Sequence, residues 1–363
     1  MKLMIAGGGT GGHLFPGVAV ARRWLERAPD AEVFFVGTAR GLENKVIPAA
    51  GLRLELIEQV GLKNRGLGGV LKALWMLPRS FVQSLAIVRR EKPAVALGVG
   101  GYAAGPAMAA AWFLRVPSLI LEPNAMPGLT NRILGWLVSR VVSPYDRARE
   151  HFPARKLLKA GIPVRAELAE ALSNVSGQAQ RSLLIFGGSQ GARAINEAAM
   201  VAVPLLVSEG VKVLHQTGPA DFSKVQAAYV GLDVDVREFI SDMAAAYNGC
   251  DLVVCRSGAS TLAELGIVGR ASVLVPLPTA ADDHQTKNAQ AFVEAGAAIL
   301  LRQKDLTPDA LLREVRGLMS DDSRRALMAA AAKKQGDPDA ANRLCGLCLE
   351  MAGVASPESG ARV

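Results

Sequence analysis

This sequence predicts an α/β protein built as two doubly wound domains, and three features point that way. Short apolar segments alternate with helix-like stretches, the pattern of parallel sheets covered by helices on both faces. A strand–Gly-Gly–helix opening occurs twice, at Gly7–Gly8 and at Gly187–Gly188. At 363 residues the chain is also longer than one compact core usually holds.

Taken in order, Leu3–Ala6 reads as a buried parallel strand, followed by a glycine run and an amphipathic helix from about Pro16 to Arg27. The apolar runs Val33–Val36, Leu54–Ile57, Val95–Val99, Ser118–Leu121 and Arg140–Ser143 continue the first sheet. The Ala-, Ser- and Gln-rich stretch Leu168–Gln180 is a weak spot, after which the pattern restarts. Ser182–Phe186, Val211–His215, Val234–Phe239, Asp251–Cys255, Ser272–Pro276 and Ala298–Leu301 are the strands of the second sheet, and Pro308–Ala352 reads as helical. The expected domains are 1–161 and 162–336, hinged near Gly161–Pro163, with a C-terminal helix at about 337–353 returning to the first.

Half the residues are apolar and a fifth charged, which excludes a disordered, collagenous or coiled-coil chain. The net charge of +8 is uneven: residues 1–161 carry 22 basic and 10 acidic side chains (+12), and 162–363 carry 19 and 23 (−4). The first half should therefore meet something anionic. Its cations are scattered singly without interleaved aromatics, so nucleic acid is not expected. Four Cys are too few for a disulfide scaffold, and Cys345-x-x-Cys348 finds no partner pair at zinc spacing. The opening MKLMIAGGG has no apolar signal core or cleavage site, so a reducing, cytosolic compartment is expected. Ala94–Leu114 runs 21 residues without a charge but contains GGY and Pro106, and reads as strand, loop and helix.

Gly7-Gly8-Gly9-Thr10-Gly11-Gly12 fits the dinucleotide fingerprint G-x-G-x-x-G, yet Val36 is followed by Gly37, Thr38, Ala39 and Arg40 where a ribose-binding acid would stand. A plain tight turn is the alternative; it leaves His13 unexplained. An imidazole at a helix N-terminus, beside backbone N–H groups, is placed for proton transfer. Gly187–Ala192 lacks a Walker Lys-Ser/Thr, but its amides and Ser189 suit a diphosphate, or Ser189 is simply a helix cap. Arg256–Glu264 puts small and hydroxyl residues at another helix start, with Glu264 either part of a cap or an acceptor for a ribose diol. His284 and Gln285 open a helix after the polar loop from Pro278. Asp233-Val234-Asp235 resembles a metal-binding D-x-D, but it lies at the start of a strand, so no metal is expected. Lys72, Leu74, Trp75, Leu77 and Arg79, with Trp112, Phe113 and Arg115, join apolar helix surface to cations. Such groups are either buried faces or a device for resting on an anionic bilayer.

Eight segments in one order resemble the MurG family of bacterial N-acetylglucosaminyltransferases over about Lys2–Gly336. They are Gly8–Ala21, Gly100–Pro106, Glu122–Asn131, Gly161–Arg165, Gly187–Ala192, Phe239–Tyr247, Val254–Glu264 and Asp282–Ala289. The resemblance implies two Rossmann-like domains facing a cleft, the GT-B arrangement. It implies an inverting transfer of N-acetylglucosamine from UDP-N-acetylglucosamine to the 4-hydroxyl of the muramyl-pentapeptide on undecaprenyl diphosphate, with no cofactor or metal required. Another UDP-sugar transferase of the same fold is the alternative activity. His13 and Glu122 become the catalytic pair, with either as the base. Thr10, Gly11, Gly12, Asn124, Arg165, Ser189, Ile240, Ala259, Ser260, Thr261, Leu262, Ala263, Glu264 and Gln285 become the donor site, and Gly101 and Tyr102 the acceptor side. A peripheral place on the cytoplasmic face of the inner membrane is implied too, with cell-wall and division proteins as further partners. Where some members read His-Glu-Gln-Asn this chain has Leu121-Glu122-Pro123-Asn124, and His284-Gln285 keeps one amide of a double-Gln donor segment.

Overall fold

The computed structural model describes residues 1–9, 11–39, 41–59, 67–171, 181–188 and 190–354, and for 67–74, 166, 167 and 171 the backbone only. The chain forms two compact units: unit 1 is Met1–Arg165 with the segment that begins at Pro338, and unit 2 is Ala166–Asp337.

Unit 1 holds strands β1 (Lys2–Gly7), β2 (Glu32–Thr38), β3 (Arg53–Ile57), β4 (Val95–Gly100), β5 (Ser118–Leu121), β6 (Arg140–Ser143) and β7 (Leu157–Lys159). They form one sheet in the order β3-β2-β1-β4-β5-β6-β7, every pair parallel. Helices α1 (Gly11–Arg27), α2 (Glu43–Ala49), α3 (Leu67–Glu91), α4 (Ala104–Phe113) and α5 (Leu129–Leu137) cover it. Side chains alternate across a strand, so β1 sends Leu3 and Ile5 into one apolar layer with α1, and Met4 and Ala6 into the other with α4. A register shift between Ala6 and Gly7 leaves Val99 as an extra residue on β4, where the glycine turn begins.

In unit 2, β8 (Ser182–Phe186), β9 (Lys212–Gln216), β10 (Val234–Arg237), β11 (Leu252–Cys255), β12 (Ala271–Leu274) and β13 (Ala298–Leu300) form a parallel sheet in the order β10-β9-β8-β11-β12-β13. Its helices are α6 (Ala166–Ala171), α7 (Arg193–Ser208), α8 (Phe222–Ala228), α9 (Met243–Asn248), α10 (Ala259–Val268), α11 (His284–Glu294), α12 (Pro308–Met319) and α13 (Asp322–Lys333). A last helix, α14 (Ala340–Met351), belongs to unit 1, where Leu344, Cys345, Cys348 and Leu349 join the core around Trp24 of α1.

Both sheets reverse direction beside their first strand, between β1 and β4 and between β8 and β11. Such switch points at the carboxyl edge of a doubly wound sheet are where ligands bind. Two departures from the sequence reading matter. Helix α1 starts at Gly11, five residues before Pro16, so His13 lies in its first turn rather than ahead of it. The short edge strand β7, with one lysine before it and one at its end, carries no apolar run and was not expected.

Candidate active site

At the switch point of unit 1 two glycine turns interlock. The Gly8 N–H donates to the Gly100 carbonyl at 3.2 Å, and a Cβ on Gly101 would overlap the Gly8 carbonyl. Gly100 and Gly101 have φ of +99° and +87°, a conformation glycine adopts freely. The His13 ring packs over this crossing, with Nδ1 3.0 Å from the Val99 carbonyl. A Cβ on Gly100 would stand 2.6 Å from that nitrogen. A carbonyl only accepts, so in the neutral ring the proton sits on Nδ1 and the lone pair on Nε2. Gly11 and Gly12 start α1, and Thr10 lies outside the described residues.

Glu122 follows β5 on the same edge and is 1 % exposed. Its carboxylate accepts from the Asn124 N–H at 2.9 Å, the Asn124 side-chain amide at 3.2 Å, the Gly128 N–H at 3.3 Å and Asn131 Nδ2 at 2.9 Å. Burial pushes its pKa up to about 7, against the pull of these donors toward the charged form. Glu122 thus shapes the loop that carries Asn124. Gly101 is half-buried and Tyr102 exposed at the end of β4, and the Arg165 guanidinium lies 5.2 Å from the centre of the Phe15 ring of α1.

One residue absent from the sequence reading is Glu43, the first of α2 and 1 % exposed. It accepts from the Gly9 N–H at 2.8 Å, the Thr38 N–H at 3.0 Å and the Thr38 hydroxyl at 2.8 Å. The acid missing at the end of β2 is therefore present five residues on, turned into the glycine run. Its signal in the sequence is the pair of glycines, Gly37 and Gly41, spaced closely before it.

In unit 2, Ser189 lies outside the described residues, and Gly188 before it is held by a side chain from β9. Gln216, the last residue of β9, donates Nε2 to the Gly188 carbonyl at 2.9 Å and accepts from the Ile240 N–H at 3.4 Å. Helix α10 begins after Gly258, which has no side chain to cap it, so the first-turn amides of Ala259, Ser260 and Thr261 point out of the helix end. Further along α10, Leu262 is buried in the core, Ala263 is half-buried, and Glu264 takes a 3.0 Å hydrogen bond from the buried Tyr247 hydroxyl. The Gln285 side-chain carbonyl accepts from the Leu277 N–H at 2.9 Å. The backbone carbonyl of Gln285 accepts from Ser257 Oγ at 2.8 Å.

Asp235 of the D-x-D segment pairs with Arg237 at 2.6 Å on an exposed edge strand. Among the described residues no helix is long and apolar enough to cross a membrane. Trp75 is 81 % exposed, and Trp112 and Phe113 are exposed at the end of α4. The side chains of Lys72 and Leu74 lie outside the described residues, and Arg79 is paired with Glu58 at 3.0 Å. Leu129, Ile133 and Trp136 of α5 are exposed as well; their spacing of four and three residues puts them on one helix face.

Residues 3–143 match the glycosyltransferase family 28 N-terminal domain, and residues 182–344 match the C-terminal domain of the same family. The chain is 49 % identical, over 97 % of its length and 93 % of the relative's, to the UDP-N-acetylglucosamine--N-acetylmuramyl-(pentapeptide) pyrophosphoryl-undecaprenol N-acetylglucosamine transferase of Anaeromyxobacter dehalogenans. It is 46 % identical, over 97 % and 99 %, to the protein of that name from Syntrophotalea carbinolica. Among solved structures it resembles MurG of Acinetobacter baumannii, with a TM-score of 0.77 and 32 % identity over 96 % of this chain and 99 % of that one. The chain is a glycosyltransferase and belongs to the MurG family of N-acetylglucosaminyltransferases.

Proposed function

We propose that this protein transfers N-acetylglucosamine from UDP-N-acetylglucosamine to the 4-hydroxyl of the muramyl-pentapeptide carried on undecaprenyl diphosphate. The observation that carries the reading is a division of labour within one chain of this family. Unit 1 has an imidazole pinned as an acceptor at its switch point, and unit 2 has outward amides at its own. Unit 1 is assigned the lipid acceptor and unit 2 the nucleotide sugar.

In the reaction the acceptor oxygen attacks the anomeric carbon in line with the departing UDP. The carbon–oxygen bond to the diphosphate breaks, and UDP leaves with the electron pair. His13 Nε2 takes the hydroxyl proton, since the Val99 carbonyl holds the ring proton on Nδ1. Glu122 is the rival base; its four hydrogen bonds and its burial favour the role of holding Asn124 and the loop in place. In unit 2 the Glu264 carboxylate, steadied by Tyr247, accepts from the ribose diol, and the backbone of Ile240 meets the uracil. The first turn of α10 and the Gln285 NH₂ meet the diphosphate, so N–H dipoles take the charge that a metal takes elsewhere. The exposed apolar side chains of α3, α4 and α5 rest on the anionic cytoplasmic surface of the inner membrane, where the acceptor's isoprenoid tail is held.

A turnover assay with the nucleotide sugar and a short-chain acceptor tests this. His13→Ala should lower kcat by about 10²–10⁴-fold with UDP affinity retained. Wild-type turnover should be unchanged in EDTA. If Glu122→Ala abolishes turnover while His13→Ala barely slows it, the two roles are reversed.

A further inference from the structure

We propose that Glu43 is a positioning residue for this reaction: its buried carboxyl group accepts from Gly9 and so holds the glycine run that leads to His13. The inference rests on the reading of His13 as the base and extends it to a residue outside the substrate site. The carboxylate is met by three donors from two strand ends, the Gly9 N–H after β1 and the Thr38 N–H and hydroxyl at the end of β2. Three glycines make room for it. A Cβ on Gly8 or Gly41 would overlap its oxygens, and one on Gly37 would stand 2.8 Å from its Cγ.

In a dinucleotide-binding domain the amides of this turn face a diphosphate and the acid after the second strand faces a ribose. Here the acid has turned inward and taken an amide of the turn for itself. An acceptor that belongs to the chain is present in every molecule, so Gly9 is held the same way before substrate arrives. That matters because His13 follows the turn directly, and its ring must meet the Val99 carbonyl to keep the lone pair on Nε2.

Glu43→Gln preserves shape and the acceptor for Thr38 but brings an NH₂ group against the Gly9 N–H. In the full chain its kcat should fall by about a hundredfold, the scale of a misplaced catalytic group, with UDP affinity within about twofold of wild type. The chain has only four histidines, so ¹⁵N spectra of the imidazoles resolve His13. Wild type should show one neutral tautomer and Glu43→Gln a mixture. If Glu43→Gln unfolds, Thr38→Val, which removes one donor, should move kcat and the His13 signals the same way by less.

Full activity of Glu43→Gln would overturn the proposal, since an isostere repairs a role in packing. So would a loss of activity with unchanged His13 signals. Should wild type itself show no turnover, the proposed reaction fails, and the imidazole spectra alone decide the role of Glu43.

Discussion

The glycine turn of unit 1 is braced by a carboxylate, Glu43, and the turn at the same place in unit 2 by an amide, Gln216. Glu43 opens α2 just after β2, Gln216 ends β9, and each of these strands pairs with the first strand of its sheet. The turns differ in what they can receive. In the first turn the Gly9 N–H is already taken by the Glu43 side chain, whereas the second is held through the Gly188 carbonyl by a neutral amide. The rest of the polar support follows the same division. Unit 1 buries ionisable Glu122, while unit 2 buries His215 between the Tyr229 hydroxyl at 3.2 Å and Asn196 Oδ1 at 3.1 Å. One topology thus serves two chemistries, set by single side chains near the carboxyl edges of the sheets.

The contrast should appear first as opposite responses to pH. Burial lowers the His215 pKa from 6.5 to about 4, so its contribution to stability is whole above 6.5 and is lost as pH falls toward 4. Burial raises the Glu122 pKa from 4.5 to about 7, so its contribution is whole below 4.5 and is lost as pH rises toward 7. Each limb is on the order of 3 kcal/mol. Denaturation followed from pH 4 to 8 should show His215→Gln flattening the acid side and Glu122→Gln the neutral side. Limbs of the same sign would break the comparison.

A smaller effect should come from making the two braces alike. Gln216→Glu puts a carboxylate beneath the second turn, and UDP binding by calorimetry should weaken by roughly tenfold to a hundredfold, as a like charge nearby demands. Unchanged affinity would mean that the diphosphate lies elsewhere.

The smallest effect concerns the surfaces. Exposed apolar side chains gather on α3, α4 and α5 of unit 1, while in unit 2 Val201 and Leu205 of α7 stand exposed one helical turn apart. Trp112→Ser with Trp136→Ser should weaken binding to anionic vesicles by on the order of 1 kcal/mol per side chain, and Val201→Ser with Leu205→Ser should leave it unchanged. Equal losses from both pairs would remove the distinction.

Much of this fold is legible in the sequence, because a strand buried on both faces is a nearly continuous apolar run. Ser118–Leu121 and Ser182–Phe186 coincide with β5 and β8 to the residue. The edge strand β7 is not legible, since only one flank of it is paired and it has no such run. His13 is legible from its place beside the glycines, but its bond to Val99 spans 86 residues and exists only once β1 and β4 lie together. The bond of Glu43 to Gly9 and the Tyr247–Glu264 pair are of the same kind, with partners 34 and 17 residues apart; for Glu43 only the closely spaced Gly37 and Gly41 hint at it. The apolar face of α5 could have been read, since Leu129, Ile133 and Trp136 follow helical spacing.

The return of α14 to unit 1 has a consequence for the newborn chain. Unit 2 lies wholly between the two parts of unit 1, so the ribosome delivers all of it before Leu344, Cys345, Cys348 and Leu349 emerge. At ordinary rates of synthesis that interval is roughly ten to thirty seconds. Through it the face of α1 around Trp24 has no cover, and the half of the protein that is made first is the last to be finished.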